Sequence, residues 1–120
     1  MHEIEDIPDS DNLYYRVHKN DIREEEVLPG AFKERGEGMS TNWDKYSSPE
    51  DLIKIATVPH DNCVIELNVG AVRTIEDLVV IHAPIVDNQA HSHVIGIPRN
   101  KSLKTKVRAK LQEIYEWRVK

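Results

Sequence analysis

Residues 62–99 read NCVIELNVGAVRTIEDLVVIHAPIVDNQAHSHVIGIPR. They hold the densest β-branched and apolar runs of the chain, three of its six histidines and its only cysteine. Residues 63–69 alternate apolar with polar side chains, as a half-buried strand does. Gly70 falls where a strand bulges or turns, and residues 71–75 are expected to continue the strand past it. Glu76-Asp77 suits a hairpin turn. Residues 78–82 are nearly all apolar, the pattern of a strand buried on both faces. Pro84 lacks a ladder donor and ends that run. Asp87-Asn88-Gln89 is turn chemistry, and residues 91–97 form a third strand before Pro98. The expectation is a three-stranded antiparallel meander.

Side chains two apart on a strand share a face. His91, His93 and Ile95 therefore share one face of the third strand, with Ser92 and Val94 on the other. If His82 of the neighbouring strand falls beside His91 and His93, three imidazoles meet and a zinc-type site results. The alternative is histidines bonded to backbone carbonyls. A bare H-x-H has no fourth ligand at a known spacing, so no metal or other cofactor is expected.

The chain has 120 residues, 39% hydrophobic and 31% charged, with a net charge of −5. That suits one small domain with a modest core. The charge is uneven. Residues 99–120 carry eight Lys or Arg and two Glu, a net +6, so the rest carries −11. The basic segment either forms a contact surface or docks on the acidic half of the same protein, and the second is favoured. The overall charge argues against nucleic acid as a partner, with the basic C-terminal helix as the one route to it. A single cysteine forms no internal disulfide and fits a cytoplasmic setting. No apolar run approaches the ~20 residues of a membrane span. The acidic start lacks the basic-then-apolar pattern of a signal peptide.

Residues 1–11 read as a flexible acidic arm, and residues 12–120 as a single domain. Residues 12–18, NLYYRVH, form a strand with Leu13, Tyr15 and Val17 toward the core and Tyr14, Arg16 and His18 on the other face. A guanidinium between aromatic and imidazole groups suits a phosphate or carboxylate. Residues 21–27 suggest a short acidic helical turn, broken by Pro29-Gly30. Phe32 is a core anchor. Residues 39–43 form a short strand, with Ser40 and Thr41 as candidate hydroxyl donors. Ser48, Pro49, Glu50 and Asp51 mark a helix start. Leu52, Ile53, Ile55 and Ala56 form its buried stripe, and it ends by Pro59. A last helix begins near Ser102, with Leu103, Val107, Leu111, Ile114, Tyr115 and Val119 at helical spacing.

The pattern LYYRV at residues 13–17, then Ala31-Phe32, Met39-Ser40, Val72-Arg73, Ala90-His91 and Gly96, resembles a diffuse group of small uncharacterised bacterial proteins. That group implies no activity and only singles out residues. Tyr15-Arg16 followed by Ser40-Thr41 also resembles the ADP-ribosyltransferase-like fold, including its compact NAD-degrading branch. That resemblance implies an acidic residue on a later strand, for which Glu66 and Asp87 are the candidates.

The fold expected is α+β: a mainly antiparallel sheet with the C-terminal amphipathic helix packed on one face. Three functions follow. The first is a binding domain whose polar pocket, built from Arg16, Ser40, Arg73 and His91, takes an anionic small molecule or a protein partner's acidic segment. The second is a small NAD- or nucleotide-processing enzyme using Arg16 and Ser40 with His91 as acid or base. The third is a metal site of His82, His91 and His93.

Overall fold

The computed structural model describes residues 2–120. Strand β1, Asn12–His18, shows the expected alternation, with Leu13, Tyr15 and Val17 buried and Arg16 and His18 exposed. It pairs antiparallel along its whole length with β5, Asn62–Asn68. A two-strand hairpin follows β1, made of β2, Ile22–Arg23, and β3, Glu26–Val27. This replaces the helical turn expected over residues 21–27. Glu24 and Glu25 form its tip, both at positive φ, the geometry that a tight hairpin requires and that acidic side chains do not advertise.

Strand β4, Met39–Trp43, pairs with β1 on one side and with β7, His91–Ile95, on the other. Strand β6, Val79–His82, pairs with β7, and β8, Glu116–Val119, pairs with β5. The six-stranded antiparallel sheet runs β6-β7-β4-β1-β5-β8. The meander expected over residues 62–99 is therefore corrected: of its three strands only β6 and β7 are neighbours. β6 is an edge strand. Val80 and His82 turn inward, while Val79 is 51% and Ile81 44% exposed, so residues 78–82 are not buried on both faces.

Gly70 starts a helix, not a bulge. Helix α2, Val69–Arg73, follows β5 directly because the Asn68 side chain caps it, accepting from the Ala71 N–H at 2.9 Å. The Gly70 N–H donates to the Asp9 carbonyl at 2.9 Å, and a Cβ there would stand 3.0 Å from that same oxygen. The acidic segment before β1, expected as a loose arm, is tied to the body at this point and at others. Ile7 is buried, Arg73 donates to the Ile7 carbonyl at 2.6 Å, and the Trp43 indole N–H donates to Asp11 at 2.9 Å.

Helix α1, Pro49–Lys54, begins with a capping box of Ser48 and Asp51. Its Leu52 and the following Ala56 are buried, but Ile55 is exposed. Helix α3, Lys101–Ile114, starts at Asn100, whose side chain accepts from the Leu103 N–H at 3.1 Å. It packs on the face carrying Leu13, Val17 and Trp43, and its Val107 and Leu111 join the core with Phe32, Met39, Ile65 and Leu67. The helix ends at Ile114. Residues 116–119 form β8 instead of continuing it, so Val119 leaves the helical stripe. Burying each such Leu or Ile contributes about 1.5–3 kcal/mol. α1 covers part of the opposite face, where Val64 is buried. Among the described residues no helix is long and apolar enough to cross a membrane.

Candidate functional site

The ladder between β1 and β4 is short. It joins Leu13 to Trp43 and Tyr14 to Asn42 and then stops. The Asp44 N–H donates to the Asn12 carbonyl at 3.0 Å, so even-numbered residues of β1 turn their main-chain groups toward β4. Past Tyr14 the two strands part, and Arg16 and Ser40 have no ladder partner across the gap. A cleft of about 930 Å³ opens there. Its floor is the sheet face away from α3. α1 forms one wall, and the turn carrying Asp87, Asn88 and Gln89 forms the other.

Three of the four residues expected in a pocket meet in this cleft: Arg16, Ser40 and His91. Arg16 is exposed, and its Nη1 donates to the Leu52 carbonyl at 3.3 Å, in the last turn of α1. Among the described residues, the rest of the guanidinium has no hydrogen-bond or ion-pair partner. The Ser40 side chain is exposed. The His91 ring bonds through Nδ1 to the Ala83 carbonyl at 2.9 Å. A carbonyl only accepts, so Nδ1 carries the proton and Nε2 is left as the free ring nitrogen. Thr41 also borders the cleft, but its hydroxyl is spent on the Ser92 carbonyl at 3.1 Å.

Arg73 is not in the cleft. It lies at α2, where it holds Ile7, Asp9 at 2.7 Å and the Val80 carbonyl at 3.4 Å. The expectation assumed a strand through residue 73, and the helix there sends the side chain to the edge of β6 instead.

The sequence reading missed several lining groups. Lys33, Arg35 and Lys54 bring further positive charge, and Asp21 and Asp61 bring negative charge beside Asp87. Asp51 also borders the cleft, but its carboxylate accepts from the Ser48 N–H at 2.9 Å and the Ser47 hydroxyl at 3.1 Å. The Ser48 backbone bond is the main reason its carboxyl titrates below the ordinary range. An amide relay spans the floor: Asn88 Nδ2 donates to Asn42 Oδ1 at 2.8 Å, and Asn42 Nδ2 donates to Ser47 Oγ at 3.1 Å. The relay ties the turn to α1 across β4. No local pattern marks these residues, because it is the parting of β1 from β4 that brings them together.

The histidine triad does not form. His82 pairs with Ser92 across the β6–β7 ladder and so faces the core side, opposite His91 and His93. Its Nδ1 accepts from the Glu5 N–H at 2.9 Å, its Nε2 lies 2.7 Å from the Gln89 carbonyl, and its ring packs edge-on against Trp43. His91 and His93 do meet, with ring centroids 4.7 Å apart and the rings nearly perpendicular. Among the described residues no three His, Cys, Asp or Glu side chains are placed to hold a metal ion. Glu66 is not in the cleft either. It forms a two-point pair with Arg118, at 3.0 and 2.7 Å. Of the two acids implied by the ADP-ribosyltransferase-like resemblance, only Asp87 borders the cleft, on its exposed rim.

No family model, no curated protein and no solved structure matches this chain. The resemblances drawn above rest on the quoted residues alone.

Proposed function

We propose that the cleft binds a small anionic ligand, with Arg16 as its principal anchor. The observation that carries this is the convergence of Arg16, Ser40 and His91, from three separate strands, where the sheet opens. Arg16 uses one of its five donors on Leu52, so a two-point contact to a phosphate or carboxylate remains available. Lys33 and Arg35 add positive charge from the loop beside β4. Ser40 offers a hydroxyl, and His91 Nε2 an acceptor that becomes a donor on protonation. An acidic segment of a protein partner would present the same carboxylate chemistry.

The test is titration of phosphate, nucleotides and NAD against the melting temperature of the wild type and of Arg16→Ala. Loss of a charged hydrogen-bond partner costs about 1.5–3 kcal/mol, so the variant should bind about tenfold or more weakly. If the wild type binds none of these anions, the reading falls. If both bind equally, Arg16 is only a cap on α1.

A second reading, a nucleotide-processing enzyme, is favoured by one feature. His91 holds a fixed tautomer with a free Nε2 in the cleft, as a proton-transfer group requires. Product formation from NAD that is lost in His91→Gln would support it.

A further inference from the structure

We propose that the outer face of α3 docks on the phosphate backbone of a nucleic-acid duplex. This site is separate from the cleft, since α3 lies on the other face of the sheet. The helix is held through Val107 and Leu111, and by Arg108 Nε donating to the Phe32 carbonyl and Gln112 Nε2 to the Val27 carbonyl, both at 2.7 Å. Its lysines take no part in that docking. Among the described residues, none of Arg99, Lys101, Lys104, Lys106 and Lys110 lies within ion-pair distance of a carboxylate. The helix does dock on the rest of the same protein, but these five cations are left out of that docking; of the basic segment 99–120, Arg118 pairs with acids, Glu66 and Glu116.

The arrangement works against the helix itself. Lys106 and Lys110 are like charges four apart, which repel. Lys101 and Lys104 sit in the first turn, where the dipole favours acids, and there is no acid in that turn. A helix selected for stability alone would carry Glu there.

Shape narrows the partner. At 3.6 residues per turn, Ser102, Thr105 and Ala109 form the outermost stripe over the first three turns and the exposed acid Glu113 ends it, with Lys101 and Arg108 along one flank and Lys106 and Lys110 along the other. Arg108 is half-buried and the other residues of this surface are exposed. A small-residue ridge between two cationic rows suits a groove bordered by two phosphate strands; the major groove is about 12 Å wide, close to a helix's diameter. A membrane surface would need a free apolar face, and here that face is buried in the core. Ammonium groups are point charges, and on the flanks of the helix they face the phosphate strands, so the contact is chiefly to phosphates. The net charge of −5 does not prevent this, because beyond about 8 Å at physiological salt the distant acids are screened.

The experiment is fluorescence anisotropy of a labelled 20-base-pair duplex, titrated with the protein from 50 to 200 mM salt. The variants are a triple glutamine chain (Lys101→Gln, Lys106→Gln, Lys110→Gln) and the matching triple arginine chain. Each lost phosphate contact removes about 0.9 from the log–log salt slope. The glutamine chain should therefore lose about 2.7 of slope and bind at least tenfold more weakly at 50 mM salt. The arginine chain should bind like the wild type. The arginine chain should melt like the wild type and the glutamine chain at or slightly above it, since the lysines have no partners to lose and their repulsion is relieved. Four results would overturn the proposal: no wild-type binding at 50 mM salt, equal binding by the glutamine chain, a markedly lower melting temperature in either variant, or tighter binding to phosphatidylserine vesicles or polyglutamate than to the duplex.

Discussion

Arg73 Nη1 donates to the carbonyl of Ile7 at 2.6 Å, and with the Gly70 N–H on the Asp9 carbonyl this contact joins helix α2 to the segment that precedes the sheet. The same nitrogen reaches Asp9 at 2.7 Å, and Nη2 reaches the Val80 carbonyl on the edge strand. Arg73 thus holds three pieces of chain that share no ladder.

Arg73→Ala should loosen residues 2–9, which keep the Glu5 N–H on His82 and the Asp9 carbonyl on Gly70, without unfolding the sheet. The side chain is about one-third exposed, so the loss belongs at the low end for charged hydrogen bonds, about 1.5 kcal/mol. Hydrogen exchange on residues 2–9 should rise while β1 and β5 stay protected. Unchanged exchange in the arm would show that buried Ile7 suffices to hold it.

Leu111 and Leu103 lie on the same helix at very different depths. Leu111 is fully buried and Leu103 is 48% exposed. Leu111→Ala should cost about 2–5 kcal/mol, through lost burial and the cavity left behind. Leu103→Ala should stay within about 0.5 kcal/mol. Urea denaturation measures both, and equal costs would contradict the packing of α3.

His93 carries the one buried side-chain polar atom without a partner among the described residues, Nδ1. The residue is 8% exposed. Burial foremost, then the neighbouring His91, pushes its imidazole below the ordinary range, against the opposing pull of Glu37 and Glu34. The unfolded chain, at about 6.5, therefore takes up the proton first on acidification. The stabilisation is complete above that value and is lost as pH falls through it toward the folded value. Melting temperature should fall between pH 7.5 and 5.0, and the fall should be smaller in His93→Gln. Parallel curves for the two proteins would remove His93 as the source.

The strands that alternate are legible in the sequence. In β1 the burial of Leu13, Tyr15 and Val17 follows from a two-residue period alone, and the capped start of α1 follows from Ser48 and Pro49. What depends on a distant partner is not legible. Nothing near Gly70 says that Asp9 will come within 3.0 Å of where a Cβ would stand, so a helix start resembles a bulge. Nothing in Val79 and Ile81 says that no strand lies beyond them. Of the pocket residues, Arg16, Ser40 and His91 could be singled out by chemistry and strand parity. Arg73 could not be separated from them, because its position turns on a helix that a single Asn side chain starts.

The strand order has a kinetic consequence. The ladders β1–β5, β4–β7 and β5–β8 join residues about fifty apart, as in Leu13 with Leu67, Thr41 with Ser92 and Glu66 with Glu116. β1 and β4, the middle of the sheet, meet each other over only two pairs. Neither can hold a stable ladder until β5 and β7 arrive. Closing such long loops before any contact compensates makes the folding barrier largely entropic and the search slow. A fragment that stops short of residue 91 would leave β4 with a bare edge beside Met39 and Trp43, a ready template for pairing between chains. Refolding yield should therefore depend on dilution more steeply than the small size of the domain suggests.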